Sequence, residues 1–366
     1  MIGLDLRRFA FATSLLAWVA FSRTSFAQQA EPPPQPPADD PEEQVLDRTP
    51  RLGGFLQVFY RFNVDTNNDD EHRPSAFRVQ RARLKVEGDL TDRLSYDVEV
   101  DPRAPGIGGV LRDCFLTLRL LGGQKLRIGQ QKTQFGYENN ESSTRLFTVN
   151  RTEVSDSLSR GITLRDQGLG LLGRVRLGGG FRLENAVTVV NGAGMNAQED
   201  DDSRKSVWGR LGVRYKFGGN KIWLGGSYGN GSVFEAGDLD LDPADDYFFD
   251  LESVGADVEF DNRWVFAAAE LVKGREEVTR AGPAGPTVGE ASTGTGYYAL
   301  LVFKTPWRFG PLARYDVLDE DWERLTVGAF YGLPDEVLRV LVNSELRREE
   351  GKASDVRSYV WLQGSF

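Results

Sequence analysis

Ala82-Arg83-Leu84-Lys85-Val86-Glu87 and, a few residues on, Leu94-Ser95-Tyr96-Asp97-Val98-Glu99-Val100-Asp101 alternate apolar and charged side chains with a period of two. Successive side chains of a strand point to opposite faces, so each stretch carries one apolar and one charged face. Thr91-Asp92-Arg93 between them is long enough only for a tight turn, which makes the two stretches antiparallel neighbours.

The same pattern recurs along the chain. Leu56, Val58, Tyr60 and Phe62 alternate with Gln57, Phe59, Arg61 and Asn63, and Val207, Leu211, Val213, Tyr215 and Phe217 are set against Arg210, Arg214 and Lys216. Sixteen such segments can be counted, the last running through Val360 and Leu362 to Phe366. Short connections at Gly122-Gly123, Gly178-Gly179-Gly180, Gly218-Gly219-Asn220, Asp261-Asn262 and Pro334-Asp335 alternate with long ones at residues 65–74, 102–109, 132–166, 191–204, 231–247, 274–294 and 349–355. Short turns on one side and long loops on the other are the rhythm of an antiparallel barrel. Forty-one Gly and forty aromatic residues suit strands and turns rather than helices.

Residues 1–27 read as a secretory signal peptide: Arg7 and Arg8, an apolar run from Phe9 to Phe21, and Ser25-Phe26-Ala27 at the cleavage point. The segment carries +2 (Arg7, Arg8 and Arg23 against Asp5), so a whole-chain charge of −10 leaves the mature chain at −12. Residues 28–51, with seven prolines among acidic residues, read as an extended periplasmic tether, and the barrel occupies 52–366. A mean hydropathy of −0.39 and the absence of a second long apolar run exclude a bundle of transmembrane helices. One cysteine, Cys114, excludes a disulfide framework and a thiolate zinc site. Export, basic residues on the polar faces and a terminal aromatic together select an all-β transmembrane antiparallel β-barrel of about 16 strands, with short periplasmic turns, long extracellular loops, an outward apolar face and a polar lumen.

Phe77-Arg78-Val79-Gln80-Arg81-Ala82-Arg83-Leu84-Lys85-Val86-Glu87-Gly88 resembles the phosphate-selective porin O and P family of bacterial outer-membrane porins. So do Asp113-Cys114-Phe115-Leu116, the stretch Leu126 to Phe135, Ser142-Ser143, Val190-Asn191-Gly192, Ala313-Arg314-Tyr315-Asp316 and Gln363-Gly364-Ser365-Phe366, in an order spanning about residues 52–366. The resemblance implies a homotrimer of sixteen-stranded barrels, each with its own pore, and a third loop, about residues 132–166, folded inward as a constriction. Gln134 stands where the family usually has proline, and Asn150-Arg151 where it usually has Glu-Arg.

On the lumen side the alternation places Arg81, Arg83, Lys85, Arg119, Arg127, Arg174, Arg176, Arg210, Arg214 and Lys216, with Lys132 entering the third loop. Rings of Arg and Lys in a water-filled pore attract small inorganic or organic anions, phosphate among them. The alternative is a weakly selective wall, because Asp97, Glu99 and Asp101 fall on the strand beside Arg81, Arg83 and Lys85 and can pair with them. Outer-membrane lipid and lipopolysaccharide are the expected surroundings; no enzyme activity, cofactor, metal or nucleic acid is expected. Two rivals are a barrel enzyme using His72 and a structural barrel plugged by its loops. Gly168 to Gly173 fits a dinucleotide fingerprint by letter but lacks the following helix, and Asp65-x-Asn67-x-Asp69 lacks the Gly of a calcium loop. Trp223, Trp264, Trp307, Trp322 and Trp361 are expected in the two interfacial girdles.

Overall fold

The computed structural model describes residues 48–366 apart from 65–74, 104–109, 159–164, 198, 201–203, 236–246, 281–286, 290, 320, 335 and 353. The stretch read as a signal peptide, nearly all of the tether and His72 lie outside the described residues. The chain divides after Val45, and every strand belongs to the unit Leu46–Phe366.

The strands are β1 (Arg51–Val64), β2 (Ala76–Asp89), β3 (Leu94–Val100), β4 (Leu111–Arg119), β5 (Gln124–Lys132), β6 (Arg165–Gly178), β7 (Phe181–Val190), β8 (Ser206–Phe217) and β9 (Asn220–Glu235). They continue with β10 (Tyr247–Asp261), β11 (Val265–Arg280), β12 (Thr287–Val288), β13 (Ser292–Phe303), β14 (Phe309–Leu318), β15 (Trp322–Tyr331), β16 (Leu338–Glu349) and β17 (Asp355–Ser365). The two-residue β12 only extends the edge of β11 at Thr279 and Arg280, so sixteen strands build the wall among the described residues. Neighbours pair antiparallel, and β1 pairs with both β2 and β17, which closes the barrel. Closure leaves no edge to be satisfied by water.

Register fixes the faces. Gln57 lies opposite both Arg81 and Gln363, while Leu56 lies opposite Ala82 and Gly364. The first set is inside and the second outside: Gln57 is fully buried, whereas Leu84, Leu224 and Val342 are 44%, 60% and 47% exposed. The apolar face therefore points outward, as in a barrel standing in lipid.

Two bulges matter to the lumen. Gln80 is the extra residue where β2 meets β1, and Arg112 is the extra residue where β4 meets β3. Each extra residue shifts the side-chain parity of the strand beyond it, turning Arg78 as well as Arg81 inward. At the short turns Gly179-Gly180 and Gly218-Gly219, both central residues have positive φ, the hairpin geometry that glycine adopts without steric cost.

The girdle differs from expectation. On the turn side Phe181, Tyr215 and Phe217 stack in series at 4.2 and 5.0 Å, with Trp264 and Trp307 exposed on neighbouring turns. Trp223 and Trp361 are buried in the lumen instead. Trp223 lies opposite Arg214 and donates to Asp257, and Trp361 lies opposite Phe59 and donates to Gln80. Nearness to a strand end fixes height in the membrane, but residue parity fixes the face.

Leu84→Arg is expected to destabilise the barrel by about 2 to 4 kcal/mol when unfolded by urea from lipid bilayers. Lys85→Gln, one position along and inside the lumen, should cost less than about 1 kcal/mol, because the Lys85 pairs are half exposed. A larger cost for Lys85→Gln than for Leu84→Arg would mean that the faces are reversed.

Candidate functional site

The connection from β5 to β6 turns into the barrel. Phe135, Phe147, Val149 and Val154 are buried at its two ends. Phe147 and Val149 pack with Val302, Leu312, Phe330, Leu341 and Trp361 on the inner face of β13 to β17, and Phe135 and Val154 with Val190, Trp208 and Val272. A short helix α1 (Glu153–Leu158) closes the described part of the loop. Burial of each such side chain contributes roughly 1.5 to 3 kcal/mol. Each backbone group left unpaired in the process would cost about 1 to 3 kcal/mol. The loop is therefore stable inside only because the wall supplies partners.

The wall supplies them. Arg314 on β14 donates to Thr148 Oγ1 at 2.6 Å, Asn150 O at 3.0 Å and Arg151 O at 3.2 Å. Arg324 on β15 donates to Arg151 O at 2.6 Å, and Arg339 on β16 to Thr144 O and to Leu146 O at 3.0 Å. Asp316 accepts from both Arg314 (3.1 Å) and Arg324 (2.8 Å), which compensates the two buried charges. From β11, Glu270 accepts the amides of Tyr137 at 2.9 Å and Glu138 at 3.3 Å. Asn343 accepts the amide of Val149 at 2.8 Å.

With the loop packed in this way, two cavities remain in the lumen. One, of 860 Å³, lies toward the short turns and is lined by Lys85, Arg127, Arg174, Arg210 and Arg214 among others. The other, of 680 Å³, lies toward the long loops and is lined by Arg81, Arg103, Arg112, Arg151 and Arg347 among others. Arg83, Lys132, Ser143 and Arg165 line both, which puts those four at the junction.

The junction is densely paired. Arg83 bonds to Glu99 at 2.8 Å and Asp101 at 3.3 Å, and Arg165 to Asp113 at 2.8 Å, with Glu99 3.7 Å away. Lys85 meets Asp97 at 2.7 Å and Glu87 at 2.6 Å. Lys132 gives its ammonium group to the carbonyls of Asn139, Asn140 and Glu141 at 3.1, 3.4 and 3.0 Å, so its first task is to hold the loop. Arg127 lies over the Phe115 ring at 4.4 Å, and Arg210 and Arg214 over Trp223 at 4.9 and 5.3 Å. Burial, with Glu138 nearby, pushes the Asp156 carboxyl up to about 6.

Eight of the eleven basic residues expected in the lumen line one of these cavities or both: Arg81, Arg83, Lys85, Arg127, Lys132, Arg174, Arg210 and Arg214. Arg119, Arg176 and Lys216 line neither; they stand beside the short turns, Arg119 bound to Asp89 at 2.6 Å. Sequence reasoning missed Arg165, Arg112, Arg151 and the buried trio Arg314, Arg324 and Arg339. Arg314, Arg324 and Arg339 do lie on the polar parity of their strands, a usable signal; Arg112 owes its place to the bulge, which no periodicity displays.

A closed barrel with an apolar exterior, a charged lumen and a loop folded inward is an outer-membrane channel for the diffusion of solutes. The family model for phosphate-selective porin O and P matches residues 51–235, half of the chain, and the protein belongs to that family. In fold it is similar to OmpF of Salmonella typhi, solved in complex with daunomycin (14% identity, TM-score 0.58, covering 87% of this chain and 98% of that one). It is also similar to OmpT, an outer membrane protein of Vibrio cholerae, in a trimer form (13%, 0.55, 87% and 99%). A third likeness is to the outer membrane channel DcaP of Acinetobacter baumannii (13%, 0.52, 87% and 97%). No curated protein sequence matches the chain. Family and fold are those of a channel rather than a catalyst.

Arg339→Met removes the donors to Thr144 O and Leu146 O, each worth about 1.5 to 3 kcal/mol. Single-channel conductance and current noise are expected to rise while heat-modifiable gel mobility is retained. Unchanged conductance and noise would show that the loop does not depend on this clasp.

Proposed function

We propose that the channel prefers anions, phosphate and similar oxyanions included, and works as a homotrimer. In this reading residues 1–27 direct export, residues 28–51 form a periplasmic tether, and the outer face meets membrane lipid and lipopolysaccharide. The observation that carries the preference is the loop-side cavity, lined among the described residues by eight basic side chains besides Arg324, whose charge Asp316 compensates, against three carboxylates. The turn-side cavity continues the excess, with nine against five. A low-dielectric wall focuses such a field, and many weakly binding guanidinium groups allow an anion to enter and to leave.

A specific observation favours the second reading, a weakly selective pore. Arg83 and Arg165, both at the junction, each hold a carboxylate within 3 Å. The zero-current potential of the protein in planar bilayers under a potassium chloride gradient separates the two. A chloride-favouring potential, with current reduced by added phosphate, is expected; a zero or potassium-favouring potential leaves the weakly selective pore.

Asp156 gives this reading a pH dependence. With its carboxyl near 6, it is charged at pH 7.5 and neutral at pH 5, so acidification removes a negative charge from the loop-side cavity. The chloride-to-potassium permeability ratio is therefore expected to rise as pH falls through 6. Asp156→Asn should show the higher ratio at both pH values, and a variant that still titrates like the parent would assign the effect elsewhere.

A further inference from the structure

A third cavity, of 290 Å³, opens off the loop-side vestibule at the seam where the barrel closes. Its lining comes from β1, β2, β16 and β17, with Asn150 of the inward loop and Arg103 after β3. Five arginines line it, Arg61, Arg78, Arg103, Arg347 and Arg357, and no carboxylate does among the described residues. Outside the lining, Glu345 lies 2.6 Å from Arg347 and Asp355 2.5 Å from Arg357. Arg103 is steadied by Val79 O at 2.7 Å.

The cavity also has an aromatic side. Phe59 lies in register with Arg78 on β2, and one row along the seam Arg61 lies in register with Tyr359 on β17. The Phe59 and Tyr359 rings meet edge to face at 5.6 Å, and both line the cavity. Phe59 stands on the charged parity of β1, where the neighbouring inward residues are Gln57 and Arg61. Phe59 packs on one side against the buried cluster beneath the loop, to which Tyr359 belongs, so the cavity has a fixed aromatic wall that a hydrated inorganic ion does not use and a planar ring can.

We propose that this alcove is a capture site for organic anions that carry a planar ring beside a carboxylate or phosphoryl group. The guanidinium forks bind the oxyanion, in the paired-donor geometry that suits carboxylate and phosphate. The ligand ring packs against Phe59 and the flat faces of the guanidiniums, which stack on aromatic rings. Its volume lies at the small end of ligand pockets and fits one ring with one anionic group. Opening on the vestibule through Gln80, Arg103, Asn150 and Arg347, which line both spaces, it loads the vestibule ahead of the junction. This proposal rests on the anion-preferring reading and adds a substrate class to it.

The test is block of potassium chloride current by phenyl phosphate and by inorganic phosphate, titrated on the full-length protein in planar bilayers. In the parent protein, phenyl phosphate is expected to block from the loop side at a concentration at least tenfold below that of inorganic phosphate. Arg78→Gln should weaken phenyl phosphate block by tenfold or more. Phe59→Leu should weaken phenyl phosphate block and leave inorganic phosphate block unchanged. Equal potency of the two anions in the parent protein overturns the alcove and needs no variant, so a folding defect in Phe59→Leu does not obscure the answer. Equal loss of both anions in Phe59→Leu, with normal gel mobility, also overturns it. A potassium-favouring reversal potential in the same membranes is the separate signature of failure of the anion reading itself.

Discussion

A loop that folds into a barrel has to leave water while its backbone donors and acceptors still need partners. That constraint organises the interior of this protein. The partners cannot come from the loop alone, because Thr144 to Arg151 form no helix or ladder of their own. Many come from side chains on β11 and β14 to β16, three buried arginines for carbonyls and Glu270 and Asn343 for amides, and others from Gln57 on β1, Gln80 on β2 and Lys132 on β5. Arginine suits the first task because its fork reaches two carbonyls at once and stays charged when buried. Asp316 between Arg314 and Arg324 then offsets a charge density that would otherwise be costly.

The consequence is an asymmetric lumen. The half bounded by β13 to β17 becomes a packed interior, with Val302, Leu312, Phe330 and Leu341 beneath the loop. The side bounded by β2 to β9 keeps most of the lining of the two cavities, with Arg324 on β15 and Arg347 on β16 completing the loop-side one. One set of arginines thus serves structure and another faces solvent, although both occupy the same parity of their strands. Burial distinguishes them: Arg314 and Arg339 are fully buried, whereas Arg174 projects into the cavity with most of its side chain exposed.

Much of the fold was legible because a period of two is a strong signal when one face is lipid and the other water. Leu84 and Lys85, adjacent in sequence, went to opposite faces from alternation alone. The strands that bound the inward loop, β5 and β6, end at Lys132 and begin at Arg165. Three things were not legible. Arg112 enters the lumen through a bulge, and a bulge is a break in the very period being read. Lys132 sits on the right face, but its engagement with carbonyls 139 to 141 depends on how the loop turns back, a tertiary matter. Trp223 and Trp361 were placed by a preference for strand ends, although the outward parity of Ile222, Leu224, Val360 and Leu362 already put them inside.

The pairing of charges at the junction bears on how such a pore works rather than only on whether it is selective. A bare guanidinium pair in a narrow, low-dielectric passage would hold a phosphate too firmly for rapid release. Glu99, Asp101 and Asp113, bonded to Arg83 and Arg165, weaken that hold at the junction while the linings on either side keep a cationic excess. In the anion-preferring reading proposed above, the field that would draw an anion inward and the contacts that would bind it are thereby placed at different depths. On that proposal passage would depend on many shallow sites in sequence, with the paired wall at the junction keeping the deepest of them shallow.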